Sequence, residues 1–219
     1  MLATFLIESA LLMYVVWRYK LSPIARLIAV TLTLLATFQL AEYNVCGGMN
    51  MSAAFWSRIG FVVITLLPPL GIHLVYLIAG RKDRTIVYAS YAVGAVWAAI
   101  FGSSEWAFIG HACGGNYAIF NLRADITPLY GLYYYGWLMG GVVLAMLFAR
   151  EVKNKEQANA LLLLVVGYFI FLVPTATANI VKPETVSGIP SIMCGFAVLF
   201  ALILVFGILP LTTTKKDRN

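Results

Sequence analysis

Charge is the scarcest property of this chain. Of its 219 residues only 11% are Asp, Glu, Lys or Arg, against about 25% in soluble globular domains. That leaves too little polar surface to cover a water-soluble globule, and the class is excluded. Histidine is scarcer still, with two residues, so a membrane hydrolase built on several zinc-binding histidines is excluded too. No phosphate-binding glycine loop, Ser–His–Asp set or His-Glu-x-x-His helix can be read from the chain. The expectation is a protein that is not an enzyme and carries neither cofactor nor metal. The net charge of +6 is not a nucleic-acid footprint, because no basic stripe with interleaved aromatics exists to track a phosphate backbone.

What is abundant is apolar: 62% of the residues are hydrophobic. A membrane-spanning helix needs about 20 such residues. Seven runs meet or approach that length, at about 2–17, 24–43, 55–79, 86–104, 127–149, 157–181 and 187–210. Clear breaks separate them: Arg18-Tyr19-Lys20 before Ser22-Pro23, Gly47-Gly48, Gly80 to Arg84, Arg150 to Glu156, and Lys182-Pro183-Glu184. The first run has neither a basic segment before it nor an Ala-x-Ala-like cleavage site after it, which reads as a retained helix rather than a signal peptide.

Loop charge sets the orientation. Arg18, Lys20, Arg26, Arg81, Lys82, Arg84, Arg150, Lys153, Lys155, Lys215, Lys216 and Arg218 fall on one side; Arg58, Arg123 and Lys182 fall on the other. The expected fold is therefore all-α, a polytopic seven-transmembrane helix bundle with its N-terminus outside and its C-terminus in the cytoplasm. It forms a single domain over 1–211, with a short cytoplasmic tail at 212–219.

Cys46 and Cys113 both fall on the outer side, and each precedes Gly-Gly. Two readings stand: a disulfide, which an oxidising compartment permits, or two free thiols beside flexible turns. Cys194, inside the seventh run, reads as a small packing residue. The long outer segment from Ser104 to Asp125 holds Glu105, Trp106, His111, Tyr117, Phe120 and Arg123. It is too aromatic for a tether and is expected to cover the bundle mouth as a lid or interfacial helix.

Ionisable groups inside a membrane are costly and point to function by default. Glu8, in the first helix, reads either as a ligand contact or proton-linked switch, or as a partner of Arg58 or of a polar neighbour at the outer interface. Glu42 and Arg58 flank a short outer loop and are positioned to pair. Pro68-Pro69 removes two backbone donors and predicts a kink, a hinge or a fixed bend. Pro174, followed by Thr175-Ala176-Thr177, predicts a second such point, with Asn179 a polar group near the outer end of the sixth helix. Tyr130, Tyr134 and Trp137 share one helical face, as interfacial belt residues or as the wall of an outer pocket.

The stretch Phe55-Trp56-Ser57-Arg58-Ile59-Gly60, leading to Leu67-Pro68-Pro69-Leu70-Gly71-Ile72-His73, resembles the third helix of the seven-helix N-terminal sensor region of bacterial membrane histidine kinases. Glu42 before the outer loop fits that pattern. So do Thr127-Pro128-Leu129-Tyr130-Gly131-Leu132-Tyr133-Tyr134, the basic inner loop after them and Gln157. The chain departs from the family in having no dimerisation helix or kinase domain after the seventh run. The resemblance implies a stand-alone sensory module in a bacterial inner (cytoplasmic) membrane, its signal passed to a separate protein. The expected function is a receptor-like membrane module. It would take a small-molecule or lipidic ligand at Glu8, Glu42, Arg58, Tyr130, Tyr134 and Asn179. Its partners are the lipid bilayer and another membrane or signalling protein. The alternatives are an accessory subunit of a larger membrane complex and a small transporter.

Overall fold

The computed structural model describes residues 1–49, 52–103, 105–114, 117–182 and 188–214, with the backbone alone at Asn179. Lys215, Lys216, Arg218, the Pro183-Glu184 break and the Asn179 side chain lie outside the described residues. Helices run in the order α1 (Leu2–Arg18), α2 (Pro23–Val45), α3 (Ala53–Thr65), α4 (Leu67–Ile78) and α5 (Thr85–Ser103). Strands β1 (Phe108–Cys113) and β2 (Ala118–Leu122) follow, then α6 (Thr127–Glu151), α7 (Lys155–Val181) and α8 (Ile189–Leu202). The last helix continues through a π-helical stretch, Ile203–Ile208, into α9 (Leu209–Thr212).

Six helical segments are long and apolar enough to cross a membrane: Pro23–Val45, Ala53–Ile78, Thr85–Ser103, Thr127–Glu151, Lys155–Ala178 and Ile189–Thr212. The chain is an integral membrane protein on that ground. The first of the seven expected runs forms α1, whose 17 residues extend about 26 Å at 1.5 Å per residue. It packs against α2 and α8.

Local chemistry starts the helices where the sequence breaks suggested. Ser22 caps α2 by accepting the Ala25 N–H at 3.2 Å, with Pro23 in the first turn. Ser52 caps α3 in the same way through Phe55, at 3.4 Å. The basic turns gather at one end of the bundle. There the Lys20 N–H donates to Thr214 at 3.2 Å, Ser22 and Thr213 hydroxyls meet at 3.0 Å, and Arg81 pairs with Glu151.

The run expected as one third helix is two. α3 ends at Thr65, and α4 begins at Leu67 with Pro68 and Pro69 in its first turn. Pro69 has no N–H to donate to the Thr65 carbonyl four residues back. Inside a membrane that carbonyl needs another donor. Tyr133 of α6 supplies one, its hydroxyl donating to Thr65 O at 2.7 Å, while the Thr65 hydroxyl meets the Tyr130 hydroxyl at 3.0 Å. The break is pinned from α6. Gly94 of α5 closes over the same point: a Cβ there would lie 2.8 Å from the Tyr133 hydroxyl and 3.0 Å from Pro69. α4 is central, touching α2, α5, α6 and α7.

The segment expected to be a lid or an interfacial helix is an antiparallel hairpin, which corrects the helix alternative. Its register pairs His111 with Phe120 and Cys113 with Ala118. Ala118 and Phe120 turn inward and are buried, whereas β1 is exposed beyond Phe108. That period-2 alternation is a strand pattern. Phe120 packs tilted against Phe38 and edge-to-face against Phe61, at 6.0 and 5.5 Å between ring centroids. Cys46 and Cys113 are joined by a disulfide with a Cα–Cα distance of 5.8 Å, which ties the hairpin to the end of α2. The next residue, Gly47, turns away with φ +87°, a conformation glycine adopts without strain.

Tyr133→Phe leaves the Thr65 carbonyl without its donor. The expected cost is about 1–3 kcal/mol, read as a lowered midpoint of thermal unfolding in detergent. Tyr88→Phe, on the exposed face of α5, should leave the midpoint unchanged.

Candidate functional site

A cavity of about 500 Å³ opens under the hairpin at the end of the bundle opposite the basic turns. Its walls come from Phe61 and Ile64 of α3, Tyr130, Gly131 and Tyr134 of α6, Met193 and Cys194 of α8, and Phe120 of β2. The volume lies within the range of small-molecule sites, about 300–1,000 Å³. The lining is mainly apolar and aromatic, with Asn121 and Thr127 among its polar residues, so it suits a ligand with an apolar body and few polar groups. Tyr130 and Tyr134, four residues apart, present one face to it, as a wall rather than an interfacial belt; Trp137 is not part of the lining.

Behind the cavity Tyr130 is set in an aromatic cluster. Its ring lies 4.9 Å from Phe101 and 5.4 Å from Trp97, both edge-on, and its hydroxyl meets Thr65. The same side chain is thus a cavity wall and a clamp on the α3–α4 break. Below the cavity a second, smaller space of about 40 Å³ shares Tyr134, Met193 and Cys194 as lining.

The roof is held at three points. The disulfide fixes Cys113. The Ala118 N–H donates to Ser191 Oγ of α8 at 3.0 Å. At the hairpin's exit the Arg123 guanidinium donates twice to Asp125 at 3.1 Å and lies 5.2 Å from the Trp106 ring. The Arg123 hydrogen bonds hold the Asp125 carboxyl below its ordinary range.

The residues expected to form one site are divided. Tyr130 and Tyr134 line the cavity. Arg58 pairs with neither Glu8 nor Glu42, a correction to both expectations: it donates to the Gly102 carbonyl of α5 and lies 4.0 Å from Glu105. The rotation of α3 decides this. Gly60 faces Phe38 and Ala41 of α2 at close range, which turns Arg58 towards α5.

Glu8 and Glu42 are 0% and 1% exposed and lie among α1, α2 and α8, outside the cavity lining. Each is within electrostatic reach of Cys194, and Glu8 also of Glu42. The Ser191 hydroxyl donates to Glu42. Both Glu8 oxygens, Glu42 Oε1 and Gln39 Nε2 have no hydrogen-bond partner.

Elsewhere, His73 Nδ1 meets the Tyr91 hydroxyl at 3.2 Å. No group of three or more His, Cys, Asp and Glu side chains that could hold a metal is found among the described residues. The Cys113 sulfur is committed to the disulfide.

Phe61, Met193 and Cys194 had no signal as site residues, since an apolar residue facing a cavity and one facing the core look alike in sequence. The four-residue spacing of Tyr130 and Tyr134 was informative, as was the aromatic content of the segment that holds Phe120. No family model, curated protein or solved structure matches the chain.

The chain has three cysteines, so in the double variant Cys46→Ala/Cys113→Ala the one thiol left is Cys194. Freeing the roof should raise its rate of alkylation by an apolar maleimide by about tenfold or more. Loss of a disulfide spanning 67 residues should also lower stability by up to about 4 kcal/mol, read from the thermal midpoint.

Proposed function

We propose that this protein is a receptor-like sensory membrane module that takes a small, largely apolar or lipidic ligand into the cavity beneath the hairpin. The observation that carries the reading is the double role of Tyr130, whose ring lines the cavity and whose hydroxyl meets Thr65 at the break in the central span. A ligand that displaces Tyr130 acts directly on the joint between α3 and α4. α4 then carries the change about 18 Å, its 12 residues at 1.5 Å each, towards the opposite end of the bundle.

In this reading α1 is a seventh span. The N-terminus and the hairpin face outward, and the basic turns face the cytoplasm, following the loop-charge rule. The module resides in the cytoplasmic membrane of a bacterium, in keeping with the resemblance to histidine kinase sensor regions, and its output goes to a separate membrane or signalling protein. The short basic turns offer no catalytic surface of their own.

The alternative role, an accessory subunit, draws on α5. It is the least buried of the six spans, with 22% of its apolar window covered, and Tyr88, Val93 and Val96 face outward towards lipid or a partner.

Gly131 gives a clean test. It lines the cavity, and a Cβ there meets nothing within 4 Å. Gly131→Phe should put a ring into the cavity from a position where the added Cβ meets no neighbour. Protein extracted from its own membranes in mild detergent is expected to carry a small-molecule adduct in native mass spectra, and the Gly131→Phe variant should lose it while keeping its thermal midpoint. An adduct that persists in the variant, or stoichiometric co-purification of another chain with no adduct, would overturn the receptor reading, the second in favour of the subunit.

A further inference from the structure

The buried cluster between α1, α2 and α8 has an unbalanced hydrogen-bond inventory. The Thr4 hydroxyl sits 2.6 Å from the Met1 carbonyl and 2.7 Å from the Gln39 amide oxygen. A hydroxyl has one proton, and a carbonyl can only accept. If the proton goes to Met1, Thr4 must accept from Gln39. With Oε1 facing Thr4, two acceptors compete for one proton while the Gln39 Nε2 donor is left buried and unpartnered. Rotating the amide by half a turn, an assignment that rests on the hydrogen-bond network, resolves both faults. Nε2 then donates to Thr4, and Oε1 takes the unpartnered position.

After that rotation every unpartnered atom of the cluster is an acceptor: Glu8 Oε1 and Oε2, Glu42 Oε1 and Gln39 Oε1. The side chains belong together by spacing. Gln39 and Glu42 are three apart on α2, and Thr4 and Glu8 are four apart on α1, so each pair shares a face. The Thr4–Gln39 contact sets the two helices against each other. From α8, Ser191 donates to Glu42, and Cys194 lies within electrostatic reach of both carboxylates. The Met1 amino group acts on both from a distance but forms no ion pair with either. The ion pairs among the described residues are Arg58–Glu105, Arg81–Glu151 and Arg123–Asp125. A buried cluster of acceptors, two of them carboxylates, with the Ser191 hydroxyl as its donor to Glu42 and no cation paired to it, is electrostatically incomplete.

We infer that Glu8, Gln39 and Glu42 form a binding site for a small inorganic cation between α1, α2 and α8. An all-oxygen donor set selects a hard ion, sodium or calcium, over zinc or copper. Bound there, the ion ties α1 to α2 behind the α8 wall of the cavity, which Cys194 shares. The site does not rest on the cavity having a ligand.

The test is thermal unfolding of the full chain in detergent at about pH 8, where carboxylates ordinarily ionise, in choline chloride, in sodium chloride, and in choline chloride with added calcium. The expected result is a midpoint that rises and saturates with sodium or calcium at constant ionic strength. Glu8→Gln and Glu42→Gln should each weaken that response by about tenfold or more. Neither should lower the midpoint in choline, since each amide keeps the shape of the carboxyl group and carries no charge into the buried cluster. A midpoint indifferent to both metals but rising as the pH is lowered would overturn the proposal by showing that protons satisfy the pair. A midpoint indifferent to metals and to pH would overturn it as well, since the cluster would then be satisfied within the protein.

Discussion

The hydrogen bond from the Tyr133 hydroxyl to the Thr65 carbonyl, 2.7 Å long, is the constraint around which this bundle is arranged. Two consecutive prolines at the centre of a spanning helix leave backbone acceptors stranded in a medium that offers no water. The remedy must come from a neighbouring helix, and it fixes that neighbour. α6 has to bring Tyr133 to the break, which places Tyr130 one turn away against the Thr65 side chain. α5 has to pass close enough to cover the joint, and Gly94 has no Cβ to prevent it. Once α6 stands there, Tyr130 and Tyr134 face the gap between α3 and α8, and that gap is the cavity.

The roof follows from a second constraint, at the membrane surface. A hairpin of two short strands is marginal by itself. Here the buried side chains of one strand rest on the aromatic ends of α2 and α3, and the disulfide removes much of the freedom the segment would otherwise have. The Ala118–Ser191 hydrogen bond connects this roof to the helix that also faces Glu42. Cavity, roof and buried carboxylates therefore meet along one stretch of α8, from Ser191 to Cys194. A change at any of the three has a short path to the other two.

Much of the architecture was legible before any coordinates. Composition identified the apolar bundle, and the run breaks located most helix ends, because the transfer cost of charge and the stop signals of Gly and Pro act locally. The kink at Pro68-Pro69 was legible for the same reason, though not that α6 would pin it. Of the two forms expected for the segment from Ser104 to Asp125, a lid or an interfacial helix, the lid matches the hairpin over the cavity and the helix does not. Its aromatic content was read, while the alternation of Ala118 and Phe120 against Ile119 and Asn121 was not. Arg58 was misassigned because nearness along the chain suggested Glu42, whereas the rotation of α3 about its own axis turned it to Gly102 and Glu105.

What the sequence by itself determined is the solvent this protein requires, the approximate position of its helices, and which residues are too polar or too constrained to be incidental: Glu8, Glu42, Pro68, Pro69 and the α6 tyrosines. These are properties of single residues and short windows, governed by transfer free energy and by missing backbone donors. Only the tertiary structure decided how they combine. It separated Glu8 and Glu42 from Arg58, set both acids within electrostatic reach of Cys194 and Glu42 against Ser191, joined Cys46 to Cys113, and hollowed a cavity between apolar surfaces that in sequence look like core. Helix rotation and close packing between segments distant along the chain decide such partnerships, and neither is written in any one segment.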